Sequence, residues 1–245
     1  MADPGGKIRL FVSPDLQAGA EIALAPEQAH YLFTVMREGP GGRLSVFNGR
    51  DGEWAAEITE AGKRRGTLRA LEQTQAQRVP PDLWLLFAPI KKARTDFIVE
   101  KAAELGCARI QPVFTRHTNS ERLRIDRLQA HALEAAEQCG ETYVAQVDAP
   151  AKLETLLDGW NPARRLLFCD ESRCARPAQT ALAGIDPGPW AILIGPEGGF
   201  APEEAERLRG LPFVLPVTLG PRVLRADTAA VAAIALWQAA LGDWQ

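Results

Sequence analysis

Cysteine and histidine are scarce in this chain, and neither is spaced for metal binding or cross-linking. The four cysteines, Cys107, Cys139, Cys169 and Cys174, form no CxxC pair, and the three histidines, His30, His117 and His131, show no ligand spacing beside them. The expectation is no structural metal, no disulfide, and reduced, mostly buried thiols. Long apolar runs are missing too, none approaching the roughly 20 residues that span a bilayer. The opening Met1-Ala2-Asp3-Pro4-Gly5-Gly6 lacks the basic and apolar regions of a signal peptide, so a cytoplasmic protein is expected. There is no overall basic excess either. The net charge of −3 taken alone speaks against a nucleic-acid partner.

The distribution of that charge says more than its sum. Residues 78–128 carry 10 basic and 6 acidic side chains, whereas residues 129–245 carry 9 and 15. Lys91, Lys92, Arg94 and Lys101 fall in the basic stretch, which is either a solvated face or a phosphate-binding surface. Composition is otherwise that of a globular protein, with 46% apolar and 24% charged residues, in a chain whose 245 residues suit a small domain joined to a larger one.

The first 75 residues predict short strands at Arg9-Leu10-Phe11-Val12, Glu21 to Leu24, Leu44 to Phe47, Trp54 to Ile58 and Thr67 to Leu71, with Asn48-Gly49 as a turn. One helix interrupts them, opened by Pro26 and carrying Ala29, Leu32, Phe33 and Met36 on one face. A small β-barrel with one helix is the economical reading. Gln73 to Pro81 suits a linker. Beyond it, strands and helices alternate. Strands fit Leu83 to Ala88, Ile110 to Phe114, Tyr143 to Val147, Leu166 to Cys169, Ala191 to Ile194 and Val214 to Val217. Helices fit Thr95 to Leu105, Glu121 to Cys139 with Ile125, Leu128, Ala132, Ala135 and Cys139 as its core stripe, and Ala226 to Leu241. This alternation predicts an α/β domain with a mostly parallel sheet and ligands at the C-terminal ends of its strands.

Two segments carry chemistry. The first is Ile194-Gly195-Pro196-Glu197-Gly198-Gly199-Phe200, a buried strand running into a glycine-rich loop, after which Pro202 and three glutamates open a helix. GxGxxG is absent, the loop lacks the Lys-Ser or Lys-Thr of GxxxxGK, and acidic residues in the helix's first turn oppose an anion. A plain strand-to-helix turn would look the same; as a site, it suits a neutral or cationic ligand held through backbone groups. The second is Leu219-Gly220-Pro221-Arg222-Val223-Leu224-Arg225-Ala226-Asp227-Thr228-Ala229, again a strand exit before a helix, in which Asp227 is equally a helix cap and either arginine a surface residue.

The pair IGPEGGF and LGPRVLRADTA resembles the signature of the RsmE family, bacterial 16S ribosomal RNA uridine-N3 methyltransferases of the knotted SPOUT superfamily. Weaker matches follow in order over nearly the whole chain: RLFV from Arg9, His30 with Val35-Met36-Arg37, Lys91-Lys92 with Arg94 and Asp96, Glu100 to Gly106, and Glu134 to Gln138. The resemblance implies a PUA-like RNA-binding domain over residues 1–75 and a SPOUT-type α/β methyltransferase domain with a trefoil knot over residues 82–245. It implies S-adenosyl-L-methionine held by Glu171, by Ile194, Gly195, Pro196, Glu197, Gly198 and Gly199, and by Leu219, Gly220, Arg222, Val223 and Leu224. It also implies a homodimer acting on 16S rRNA or the small ribosomal subunit, with Arg9, His30, Arg37, Lys91, Lys92 and Arg94 toward RNA. Asp227 stands where the family has Glu, Glu141 follows Gly140 where the family has Arg, and the basic segment after Phe114 is reduced to Arg116 and His117.

Methylating a ring nitrogen requires an aligned nucleophile, excluded water and loss of the N3 proton. Arg225 is expected to stabilise the uracil oxygen as charge develops, and Asp227 to orient that arginine or accept the proton. A non-catalytic RNA-binding or ribosome-assembly protein and a dinucleotide enzyme are the rival readings, the latter disfavoured by the missing fingerprint.

Overall fold

The computed structural model describes residues 6–119 and 122–244. The chain divides into two compact units, one of Met1–Val79 with Ala136–Val144 and one of Pro80–Ala135 with Ala145–Gln245.

In the first unit the strands are β1 (Arg9–Phe11), β2 (Glu21–Ala23), β3 (Arg43–Phe47), β4 (Glu53–Gly62) and β5 (Arg65–Gln75), ordered β1-β3-β4-β5-β2. Only the β1–β3 pairing is parallel. Helix α1 (Pro26–His30) passes directly into a π-helical turn over Tyr31–Val35. Gln28 locks its start, accepting from the Ala25 N–H at 3.0 Å and donating to the Phe11 carbonyl at 2.7 Å, so the helix that follows one edge strand is tied to the other. Three register shifts along β4 and β5 bend the sheet around a core that includes Leu10, Ile22, Leu32, Val46, Ile58 and Leu68. The expected small, mostly β unit with one helix is thus a bent five-stranded sheet with β1 and β2 at the ends of its strand order.

The second unit runs β6 (Leu83–Phe87), α2 (Lys92–Glu104), β7 (Arg109–Phe114), α3 (Ile125–Cys139), β8 (Gln146–Val147), β9 (Ala151–Lys152), α4 (Leu153–Asp158), β10 (Arg165–Cys169), β11 (Arg176–Pro177), α5 (Ala178–Leu182), β12 (Trp190–Ile194), α6 (Pro202–Gly210), β13 (Val214–Thr218) and α7 (Ala226–Leu241). Its pairings are parallel, in the order β11-β13-β10-β12-β6-β7-β8, with β9 beside β7. Alternate residues of the central strands enter opposite cores. Leu83, Leu85, Ile192 and Leu167 pack with α2, α3, α5 and α7, while Leu86, Leu193, Leu166 and Phe168 pack with α4 and α6. A sheet covered on both faces is why these strands read as unbroken apolar runs.

Several expectations change. The long helix starts at Ile125, and Glu121 lies outside the described residues. Its core stripe ends at Ala135, because Cys139 is exposed. Cys174 is exposed as well and Cys169 half-buried, leaving Cys107 as the one fully buried thiol. The strand at Tyr143 to Val147 shrinks to two residues. Among the described residues, no helix is long and apolar enough to cross a membrane.

Candidate active site

Strands β13, β10 and β12 are adjacent and parallel, so the loops leaving their C-terminal ends emerge on one side of the sheet. Side chain to backbone bonds lock the three loops together. The Phe200 N–H donates to Glu171 Oε1 at 2.8 Å, joining the loops after β12 and β10, and Arg173 donates to the Pro221 carbonyl at 3.0 Å, joining those after β10 and β13. Gly199 has φ +70° and donates to the Pro196 carbonyl at 2.9 Å; a Cβ there would stand 2.6 Å from Glu171 Oε1. The backbone of this turn therefore requires glycine. Gly195 is glycine for another reason: a Cβ would meet the Phe200 ring at 2.5 Å, and that ring packs edge-on against Phe168.

The anchor of the loop after β10 is Asp170, which the sequence reading passed over. Its carboxylate is buried and accepts Arg209 of α6 at 2.8 and 3.0 Å and the Ser172 N–H at 2.9 Å. Burial alone would raise this carboxyl, but the Arg209 hydrogen bonds, aided by Ser172, outweigh it and hold the group below the usual carboxylate range. The available signal was an acidic residue directly after an apolar strand, which sequence alone cannot distinguish from a surface turn.

A cavity of about 360 Å³ lies among the loops, lined by Glu171, Ile194, Gly195, Pro196, Glu197, Gly199, Val223, Leu224 and Arg225, together with Cys169, Ala226 and Ala229. A recess of about 60 Å³ shares Glu171, Val223 and Leu224 with it and adds Leu219 and Arg222. Gly220, at φ +114°, shapes the turn beside them. Gly198 faces elsewhere, into a pocket of about 250 Å³ that shares Pro196 and Glu197 with the first. A further cavity of about 360 Å³, lined by Phe114, Arg116, Lys152, Leu157, Glu204 and Arg207 among others, contains none of the motif residues.

The larger motif cavity suits a cofactor-sized cation. Its volume falls within the ~300–1,000 Å³ of small-molecule sites. Its walls combine apolar Ile194, Leu224 and Ala229 with the carboxylate of Glu171, Glu197 stands on the wall shared with the Gly198 pocket, and Val223 is 72% exposed at its edge. Burial, with Glu171 nearby, pushes the Cys169 thiol up to about 12, so it is no thiolate nucleophile.

Arg225 is the N-cap residue of α7; it is exposed and has no ion pair or side-chain hydrogen bond among the described residues. Asp227 is not the cap. It lies within the first turn, where Oδ2 accepts Arg94 at 3.1 Å and Oδ1 accepts the Thr228 N–H at 2.9 Å, so its partner is Arg94 and not Arg225. Lys91 and Lys92 are exposed at the start of α2.

The first unit holds the other residues expected to face RNA. His30 and Arg37 are exposed, Arg37 at φ +60°, with Tyr31, Val35 and Met36 exposed between them. Arg9 is engaged within its own unit. Its guanidinium pairs with Glu53, lies over the Phe47 ring, and donates to the carbonyls of Ala136 at 2.6 Å, Glu137 at 3.2 Å and Glu141 at 3.0 Å. The first two bonds satisfy orphan carbonyls in the last turn of α3, and the three together leave little of the fork for a phosphate. Glu141 meanwhile uses its carboxylate on the N–H groups of Thr142 and Tyr143, a local turn contact.

Residues 77–238 match the model of an RNA methyltransferase domain, and residues 24–71 that of an RNA methyltransferase PUA domain. The chain is 30% identical over 229 residues to the ribosomal RNA small subunit methyltransferase E of Rickettsia conorii, covering 93% of each chain. A protein of the same name from Synechocystis sp. is 30% identical, covering 93% of this chain and 76% of that one. A putative methyltransferase from Legionella pneumophila, solved in complex with bound SAM, superposes with a TM-score of 0.87 at 30% identity over 96% of this chain and 98% of that one. The ribosomal RNA small subunit methyltransferase E of Neisseria gonorrhoeae, solved with S-adenosyl methionine, gives 0.86 at 25% identity over 97% and 99%.

Proposed function

The chain belongs to the RNA methyltransferase family of the ribosomal RNA small subunit methyltransferases E, and from that premise we propose that it methylates N3 of a uridine in 16S rRNA, with S-adenosylmethionine bound among the loops after β10, β12 and β13. The observation that carries this reading is the convergence of two separate motifs on one cavity, through Gly195, Pro196, Glu197 and Gly199 of the first and Val223, Leu224 and Arg225 of the second. S-adenosylmethionine supplies a methyl group activated by a sulfonium charge.

The chain's own residues do the rest. Backbone groups of Gly195, Pro196, Glu197 and Gly199 and the apolar side chains of Val223 and Leu224 hold the cofactor, with the Glu171 carboxylate suited to its positive charge. Fixing both reactants in one cavity supplies a large part of the rate, on the order of 7–11 kcal/mol in well-oriented systems. Arg225, free at the cavity wall, stabilises negative charge on a uracil oxygen. Asp227, two residues beyond Arg225, is paired with Arg94. Lys91 and Lys92 take RNA phosphates. In the N-terminal unit, His30 and Arg37 are the RNA-facing residues.

A homodimer belongs to the same proposal, as do a trefoil-knotted C-terminal loop and a cytoplasmic location. Val231, Ala232, Ala235 and Ala239 of α7 are spaced to share a face and remain partly or fully exposed, as a helix packed on a second copy requires. Calorimetry with S-adenosylmethionine and transfer of its labelled methyl to unmodified small subunits test the function together. Binding without transfer to any RNA would favour the non-catalytic reading.

A further inference from the structure

Gly198, expected among the cofactor-binding residues, lines a pocket separate from the cofactor cavity. This pocket is lined by residues after β6 (Pro89, Ile90, Lys91), residues after β7 (His117, Asn119), and Pro196, Glu197 and Gly198 after β12. Pro196 and Glu197 line the cofactor cavity as well, so the two spaces share one wall. At about 250 Å³ it is smaller than the usual ~300–1,000 Å³ site and suits one flat base. Its polar lining suits a pyrimidine edge, since Asn119 donates or accepts there, while the exposed Lys91 beside it is left to a phosphate. His117 Nδ1 donates to the Gly199 carbonyl at 3.2 Å, which ties the loop after β7 to that after β12.

We propose that this pocket receives the target base and that Glu197, on the shared wall, accepts the N3 proton during methyl transfer. The inference rests on the function proposed above and deepens it. Three observations select Glu197. It borders both spaces, whereas His117 borders only the base pocket. Its side chain is exposed and has neither ion pair nor side-chain hydrogen bond among the described residues. The rival carboxylate is occupied, since both oxygens of Asp227 already accept hydrogen bonds. The loop serves the cofactor through its backbone, which leaves the Glu197 side chain for the base. In the step, the N3–H bond breaks and its electron pair forms the new N3–C bond. The pair of the departing methyl–sulfur bond remains on sulfur, and the proton ends on a Glu197 oxygen, so the charges of sulfonium and carboxylate cancel. A carboxylate at this point also rejects cytosine, whose unprotonated N3 would face it with a lone pair.

The test uses the full chain, Glu197→Gln and Glu197→Ala, with unmodified and already methylated small subunits. Glu197→Gln should bind S-adenosylmethionine within about twofold of wild type while single-turnover methylation falls on the order of 10² or more. In the presence of S-adenosylhomocysteine, wild type should bind unmodified subunits more tightly than methylated ones, and Glu197→Ala should lose that preference. Wild-type methylation by Glu197→Gln, or an intact preference in Glu197→Ala, overturns this inference alone. Failure of the wild-type protein to methylate any small-subunit RNA overturns the functional reading and this one with it.

Discussion

Replacing Asp170 by Asn removes the charge that anchors the loop after β10 while keeping nearly the same shape. The Asp170 side chain is 2% exposed and that of its partner Arg209 42% exposed. Breaking a fully buried pair costs about 3–5 kcal/mol, and an exposed one about 0–1. With the carboxylate buried and the guanidinium half in water, the loss should be about 2 kcal/mol at neutral pH, or roughly 4–8 °C in the unfolding midpoint of a domain this size. The pH dependence follows from the direction of the shift. The folded carboxyl titrates below its ordinary value, so its contribution is fully present above about 3.9 and disappears as pH falls through the depressed folded value. Thermal unfolding by circular dichroism should therefore show a constant gap between wild type and Asp170→Asn from pH 7 to about 5, closing in stronger acid. S-adenosylmethionine affinity should fall as well, because Glu171 follows directly in the anchored loop. Equal midpoints at pH 7, or a gap that persists in acid, would refute the argument.

Arg225→Ala should bind S-adenosylmethionine normally yet lose on the order of 10² in single-turnover methylation, read by quench and label counting; an unchanged rate would place charge stabilisation elsewhere. Changing Lys91 and Lys92 together to Ala should weaken RNA binding and reduce the slope of log K against log salt by about 2, with an unchanged slope identifying a merely solvated surface. Gly199→Val should abolish S-adenosylmethionine binding by calorimetry, since it strains a left-handed turn and drives Glu171 from the Phe200 N–H; Gly198→Ala, in ordinary van der Waals contact with His117, should not. Light scattering should give twice the chain mass at micromolar concentration, and a fully active monomer would contradict the dimer.

The architecture was legible where burial is extreme. Continuous apolar runs such as Trp190–Ile194 mark strands covered on both faces, and Pro26 and the alanine-rich stretch from Ala226 mark helix starts. Short elements were not legible: Ala151–Lys152 and Arg176–Pro177 are strands only because β7 and β13 lie beside them, a fact of tertiary pairing. The site shows the same division. Motif residues carried the cavity, yet glycine types alone did not separate Gly195, small to admit Phe200, from Gly199, which the backbone demands. Long-range partners escaped altogether. Arg9 reads as a surface cation until the end of α3 is placed against it, and Asp227 reads as a cap until Arg94, 133 positions away in sequence, is seen to hold it. Asp170 and the pocket after β7 depend on the same kind of juxtaposition.

The most direct measurement of the central claim is the identity of the modified nucleoside. The protein is incubated with methyl-labelled S-adenosylmethionine and unmodified small ribosomal subunits, and the RNA is digested and resolved by chromatography and mass spectrometry. Label in N3-methyluridine alone is the predicted result, and label in any other nucleoside, or in none, would contradict it.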